Sequence, residues 1–364
     1  MWGSVWIALV SLLAGLLACR AIARHHLRRY QRIAGEHGVE RAGPMQLGGV
    51  PQWVSIRGHD RRNPVLVFLH GGPGSVFSGL SYSFQLPWEE FFTVVQWDQR
   101  GSGRSTCRGD GPVTLETLIG DALELLDYLR REFNQEKVFV VGHSWGGFLG
   151  FHVARRRPEW LHAFIALGPL LGIRQVYRET HALLTAAATA AGDQKALAKL
   201  RGAGSTLPDT VDAAFLKKLG DVLGMLPRKG MSWHNQRGAL SIVARVVTIA
   251  FFSPDLRLRD VLRTLGGGRA YVLALFREIQ DVYLPASLGT RFDTPLIFVA
   301  GEHDQQAGVE LIRRYAEQVE SPVTTFRLLR GCAHAAVWET PGQILEVLLK
   351  DALPLAQTRL SLDG

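Results

Sequence analysis

Residues 138–147, Val-Phe-Val-Val-Gly-His-Ser-Trp-Gly-Gly, leave this chain few ways to fold. A run of β-branched and aromatic residues leads directly into Gly142-x-Ser144-x-Gly146, and an apolar helix-like segment, Phe148 to Ala154, follows. A serine on so tight a strand-to-helix turn takes up strained backbone, and side chains at 142 or 146 would collide with neighbouring main chain. The turn lifts the Ser144 hydroxyl clear of the strand end. The helix behind it aims free N–H groups and a partial positive charge at the same point. A bare Gly-x-Ser-x-Gly is a weak pattern, but set between a strand and a helix it marks a nucleophile.

Around this turn the pattern alternates. Strand-like runs cover Pro51 to Arg57, Pro64 to His70, Phe91 to Trp97 and His162 to Leu167, and Thr114 can cap a helix that runs to about Phe133. Leu115, Leu118, Ile119, Ala122, Leu126 and Leu129 share one face of that helix, and Asp121 is expected to be a solvated charge on it. From Gly168 to about Arg291 the alternation gives way to helical spacing in Phe215 to Leu226, Ile242 to Phe252 and Tyr271 to Tyr283. Strands return at Pro295 to Gly301 and Pro322 to Leu329, with helices near 308–319 and 339–349. Such alternation predicts an α/β fold: a mostly parallel sheet covered by helices on both faces, with a helical insertion.

The formal charge of +8 raises the question of nucleic acid, so its location matters. Residues 20–42 hold six arginines against two glutamates, beside a stretch, 1–19, that has no charged side chain. As a helix that stretch would be about 28 Å long, near the thickness of a bilayer core. Trp2 and Trp6 suit one interface. Every arginine of the cluster follows the apolar run, which predicts an uncleaved anchor and a cytoplasmic catalytic body. Export, with Leu16-Leu17-Ala18-Cys19 as a lipoprotein-like site, is the alternative. A membrane flank and no nucleic-acid partner are therefore expected. Cys19, Cys107 and Cys332 are too scattered for a disulfide framework or a zinc site. The expected divisions are an anchor at 1–19, a basic linker at 20–42, core at 43–168, a lid at 169–291 and further core at 292–364.

A serine nucleophile needs a base, and the base needs a third group to orient it. On a sheet of this kind the order is serine, acid, histidine, with the acid after a late strand and the histidine before the last helix. Asp304, closing the strand at 296–300, and His334, between the last strand and helix, fit those places. Glu302 is the rival acid. His70, His143 and His303 belong to motif loops and are expected to bond locally. An oxyanion needs two donors in place beforehand. The N–H of Trp145 is one candidate, and Gly72 is the other, with Gly71 as runner-up. The Gly72–Pro73 bond is a candidate for cis. Asp98 and Arg100 are expected to brace the oxyanion loop. Neither a metal nor an organic cofactor is implied.

Together HGGPG at 70–74, WDQRGSGRS at 97–105 and GHSWGG at 142–147 resemble the proline iminopeptidase family of α/β-hydrolases. The likeness covers residues 45–170 strongly and returns at 295–350 through GEHD and the His334 loop. It implies an α/β-hydrolase fold with Ser144 as nucleophile, Asp304 as acid and His334 as base. Two departures stand out. Ala333 occupies the place where the family usually has glycine, and the insertion lacks the family's Trp- and Glu-bearing segments for a substrate's N-terminal amine. Glu179, Glu278 and Asp281 are the candidates to replace the latter. The expectation is a serine hydrolase acting on a small apolar peptide or amide, with an apolar ester as the alternative substrate. A non-catalytic binding module is the remaining reading.

Overall fold

A computed structural model describes residues 2–105, 113–234, 239–261 and 269–357. Its centre is a sheet of eight strands: β1 (Val39–Leu47), β2 (Val50–Gly58), β3 (Val65–Leu69), β4 (Thr93–Trp97), β5 (Val138–His143), β6 (Leu161–Leu167), β7 (Leu296–Gly301) and β8 (Thr324–Leu329). Their order across the sheet is β1-β2-β4-β3-β5-β6-β7-β8, and β2 alone runs against the rest, so the β1–β2 and β2–β4 pairs are antiparallel. The inner strands β3 to β7 are buried on both faces, so they read as apolar runs, whereas edge strand β8 is largely open to solvent. In β3, Val65, Val67 and Leu69 enter one core layer while Leu66 and Phe68 enter the other. Period-two side chains do this wherever both faces are covered.

The helices follow the expected places closely. The helix α1 covers Trp2–Tyr30, α2 Leu115–Glu132 and α3 Trp145–Arg156. Thr114 caps α2 by a reciprocal pair of bonds with Thr117. Between β6 and β7 lie α4 (Ile173–Ala190), α5 (Gln194–Ala203), α6 (Ala213–Leu223), α7 (Leu226–Lys229), α8 (Ala239–Phe252), α9 (Arg269–Ile279) and α10 (Leu284–Ser287). The two ends of this insertion meet where the Leu284 N–H donates to Leu171 O at 2.8 Å. After β7, α11 (Val309–Gln318) covers one face of the sheet, and α12 (Ala336–Glu339) and α13 (Pro341–Val347) close the fold.

The structure corrects three expectations. Residues 20–42, expected as a basic linker with a helical start, hold more regular structure than that: α1 continues to Tyr30 and β1 begins at Val39. The strand was hidden because an edge position tolerates the charges, Gly43 and Pro44 that argue against a strand elsewhere. Asp121 is 1% exposed rather than solvated. It lies on the buried side of α2, where its carboxylate accepts from Arg100 Nε and Nη2, both at 2.7 Å, and from Gln52 Nε2 at 2.8 Å. Arg100 therefore does not brace the oxyanion loop. It turns to Asp121 and to Gly48 O at 3.0 Å, tying the β1–β2 turn to α2. Asp98 does reach the segment after the oxyanion loop, accepting from Ser78 Oγ and from Arg104 N at 2.9 Å. Cys107 lies outside the described residues.

Removing one partner of a buried ion pair leaves the other charge desolvated and alone, at a cost of about 3–5 kcal/mol. Asp121→Ala is expected to lower unfolding stability by that order in chemical denaturation. Arg100→Met with Asp121→Leu is expected to lose distinctly less.

Candidate active site

Ser144 caps α3 with φ +57°, a left-handed conformation that non-glycine residues rarely adopt. The crossing of β5 and α3 forces it. A Cβ at Gly142 would lie 2.4 Å from Gly146 O, and one at Gly146 would lie 2.0 Å from Leu69 O. Neither position can hold a side chain without the strand and helix moving apart. Behind the turn, the first N–H groups of α3 have no carbonyl one turn earlier to satisfy them.

The loop after β3 faces this turn. Gly72 has φ +118° and the Gly72–Pro73 bond is cis, as expected. The loop is strapped from below by Gln99. Its N–H donates to His70 Nε2 at 3.2 Å and its side chain donates to His70 O at 3.1 Å. Since Nε2 accepts, the His70 proton sits on Nδ1, which lies 2.9 Å from Gly71 O. Gln99 Oε1 also accepts from Trp145 Nε1 at 2.9 Å, so one side chain ties both candidate oxyanion elements together. Burial pushes the His70 imidazole below its ordinary value.

His334 and Asp304 meet from loops after β8 and β7. His334 Nδ1 lies 2.8 Å from Asp304 Oδ2, and both groups are buried. The other carboxylate oxygen accepts from Gln306 N at 3.0 Å and Ala307 N at 2.9 Å, which fixes its orientation. Glu302, by contrast, turns outward and accepts from Gly331 N at 3.1 Å. Ala333 is accommodated where the resemblance leads one to expect glycine, its N–H donating to Glu339 Oε2 at 2.9 Å.

His143, inside the elbow, does not bond locally as expected but holds the backbone of the distant His334. Its Nε2 lies 2.9 Å from His334 O, and the two rings are 4.8 Å apart. A carbonyl only accepts, so Nε2 carries the proton, and Nδ1 is buried without a hydrogen-bond partner among the described residues. Burial, followed by the neighbouring His334, pushes the His143 value down to about 3. Ser144 and His334 line one cavity of about 520 Å³. Among the described residues the Ser144 hydroxyl takes no hydrogen bond, so its contact with His334 is not closed here. Such contacts are often long before substrate tightens them.

The rest of the cavity lies beyond what the sequence exposed. Phe77, Trp233 and Trp338 line it together with Ile242, Val243 and Val246 of α8. Trp233 stacks on Trp338 with centroids 5.6 Å apart, and Trp338 Nε1 donates to Ser83 Oγ at 3.1 Å. The apolar spacing of α8 was legible, but nothing local marked which face would meet the site. Glu179, Glu278 and Asp281 do not line the cavity. Glu179 pairs with Arg314, Glu278 accepts from Leu115 N at 2.9 Å, and Asp281 accepts from Arg174 Nε at 2.6 Å.

A profile for the α/β-hydrolase fold matches residues 64–341. The chain belongs to the α/β-hydrolase family. This hydrolase is 27% identical over 326 residues to a protein named probable aminopeptidase YbaC from Bacillus subtilis, covering 85% of this chain and 95% of that one. It is 22% identical over 313 residues to a proline iminopeptidase of Thermoplasma volcanium, again covering 85% and 95%. Among solved structures it is similar to proline iminopeptidase from Mycobacterium smegmatis, with a TM-score of 0.56, 18% identity and coverage of 88% and 100%. At that identity the structural likeness speaks for the fold. The resemblance read from the three motifs is thus matched by relatives along most of the chain.

His143 gives this hydrolase an acid sensitivity of definite sign. Its folded value, about 3, lies below the ordinary 6.5 of the unfolded chain. Its contribution is therefore complete above pH 6.5 and is lost as pH falls toward 3. The loss per buried histidine is about 1.4 kcal/mol per pH unit in that window. His143→Gln, which keeps a donor for His334 O, is expected to flatten the fall in melting temperature between about pH 6.5 and about pH 5. An unchanged slope in the variant would assign the fall to other groups.

Proposed function

We propose that this hydrolase is a serine hydrolase working through an acyl-enzyme, with Ser144, His334 and Asp304 as its triad. The observation that carries this reading is the 2.8 Å link from His334 to Asp304, placed in the same cavity as the elbow serine. Ser144 Oγ attacks the substrate carbonyl while His334 Nε2 takes its proton. Asp304 keeps the Nδ1 proton in place and stabilises the imidazolium that forms. The oxyanion is received by the N–H groups of Trp145 and Gly72, with Gly71 as the alternative. His334 then returns the proton to the leaving group, which departs. A water, deprotonated by the same imidazole, attacks the acyl carbonyl and releases Ser144.

The substrate is an apolar ester or amide. An aminopeptidase must hold a free ammonium, and a carboxylate is the natural partner. Among the described residues lining the cavity there is no Asp or Glu. The names of the relatives favour the second reading, an aminopeptidase taking small apolar N-terminal residues; a cavity without a carboxylate supports it less well. The helical insertion, 169–291, acts as the lid. Residues 1–19 form the membrane anchor, with the arginines from 20 onward favouring a cytoplasmic body over an exported one. In support, the span from Ser4 to Tyr30 is a helix long and apolar enough to cross a membrane, and 6% of its most apolar window is buried. A signal sequence would meet the same criteria.

A fluorophosphonate probe is expected to label the protein and to lose labelling in Ser144→Ala. Asp304→Asn should retain the fold and lose activity by on the order of 10³–10⁴ in kcat. Folded protein that takes no label would remove the serine mechanism. Turnover of proline arylamide above that of p-nitrophenyl esters would select the aminopeptidase reading.

A further inference from the structure

The helix α8 has two apolar faces, and only one of them is used by the body of the protein. Ile242, Val246 and Ile249 point inward, the first two into the cavity and the last two onto a small core around Leu80 and Leu256. On the other side Leu240 is 87% exposed and Val247 36%, while Val243, 55% exposed, stands at the edge between that side and the cavity it lines. Positions 240 and 247, two helical turns apart, fall on one stripe clear of the cavity, with Val243 at its edge. A soluble surface rarely leaves such a stripe uncovered.

The neighbour of α8 suggests what covers it. The helix α1, whose apolar half is left bare, packs against α8. Its basic half is fastened to the turn just beyond α8. Arg20 Nη2 donates to Leu256 O at 2.7 Å, Arg24 Nη2 to Pro254 O at 2.9 Å, and Arg28 Nη2 to the same oxygen at 2.8 Å. Arg20 also sits over the Phe251 ring, 5.4 Å from its centroid. Arg20 is the first charge after the apolar run, so it lies where hydrocarbon gives way to headgroups in any bilayer that holds α1. The end of α8 is therefore held at that level.

We infer that the outer stripe of α8 rests in the bilayer that holds α1, and that the cavity draws a long-chain acyl ester from this bilayer past α8. This inference rests on the reading of the chain as an anchored serine hydrolase. It adds the route and the substrate class. The same helix faces lipid on one side and Ser144's cavity on the other, so an acyl chain leaving the membrane crosses a single layer of Val and Ile side chains. The turn that receives the arginines also touches the catalytic end: a Cβ on Gly79 would lie 2.4 Å from Leu256 Cδ2, and Tyr82 Oη donates to Ile249 O at 2.9 Å. The anchor, the lid helix and the segment after the oxyanion loop are thus in series.

Two measurements on the full chain in phosphatidylethanolamine–phosphatidylglycerol vesicles test this. An environment-sensitive fluorophore on Leu240→Cys, in a Cys19→Ser and Cys107→Ser background, is expected to be quenched by lipids brominated on the acyl chain. In the second, Leu240→Asp with Val247→Asp is expected to slow p-nitrophenyl palmitate carried in the vesicles by about tenfold or more. The same variant should leave p-nitrophenyl acetate in water within about twofold, because neither residue lines the cavity. No quenching in protein that floats with the vesicles and turns over acetate would overturn the docking while leaving the hydrolase reading intact. Quenching without turnover of either ester would keep the docking and overturn the hydrolase reading and the acyl-ester route with it. A label shielded only as protein concentration rises would assign the stripe to a second copy. Equal loss on palmitate and acetate would overturn the route.

Discussion

The closest constraint in the molecule is steric. Strand β5 and helix α3 cross at a distance that only hydrogen atoms at Gly142 and Gly146 permit, with Leu69 O from the neighbouring strand filling the remaining space. From this crossing follow the left-handed Ser144, the free N–H groups behind it and the approach of the Gly71–Gly72 loop. A Cβ on Gly71 would already be 3.0 Å from His143 Nδ1. Strain at one residue is held because the parallel strands on either side leave it no alternative. The site is thus a property of the sheet before it is a property of any side chain.

Around that point the polar groups form layers. Gln99 and His70 hold the oxyanion loop from beneath, while His143 holds the backbone of His334 and Asp304 holds its ring. Farther out, Asp121 and Arg100 clamp α2 to the β1–β2 turn. Each group is buried and takes at least one partner from a distant part of the chain. Burial makes these contacts costly to break singly, which is why a network of this kind fixes geometry more than it adds stability.

The two halves of the site have different characters. The half that holds Ser144, Asp304 and His334 stands on strand ends and is built from backbone and short side chains. The substrate half is a wall of aromatic and branched residues, Phe77 and Trp338 from the core and Trp233, Ile242 and Val246 from the insertion. Such a wall suits shape and apolar area, and among the described residues it includes no Asp or Glu. Its α8 side packs against the helix α1, whose apolar half is left bare.

Local sequence was enough wherever a residue's role depends on its neighbours along the chain. The elbow, the apolar parallel strands, the capped α2 and the places of Asp304 and His334 after late strands were all legible, because strand period, turn sterics and chain order are local properties. Other features were decided only by folding. Edge strand β1 carries charges and a proline, so its sequence argues against the pairing that β2 imposes on it. Asp121 resembles any surface acid until Arg100, twenty-one positions earlier, arrives beneath it. Glu179, Glu278 and Asp281 had the right chemistry, but α4, α9 and the turn after α9 direct those side chains toward arginines and the start of α2. Which face of α8 meets Ser144 and which is left bare was also set by tertiary packing, since periodicity reports that a stripe is apolar and is silent on what lies opposite it.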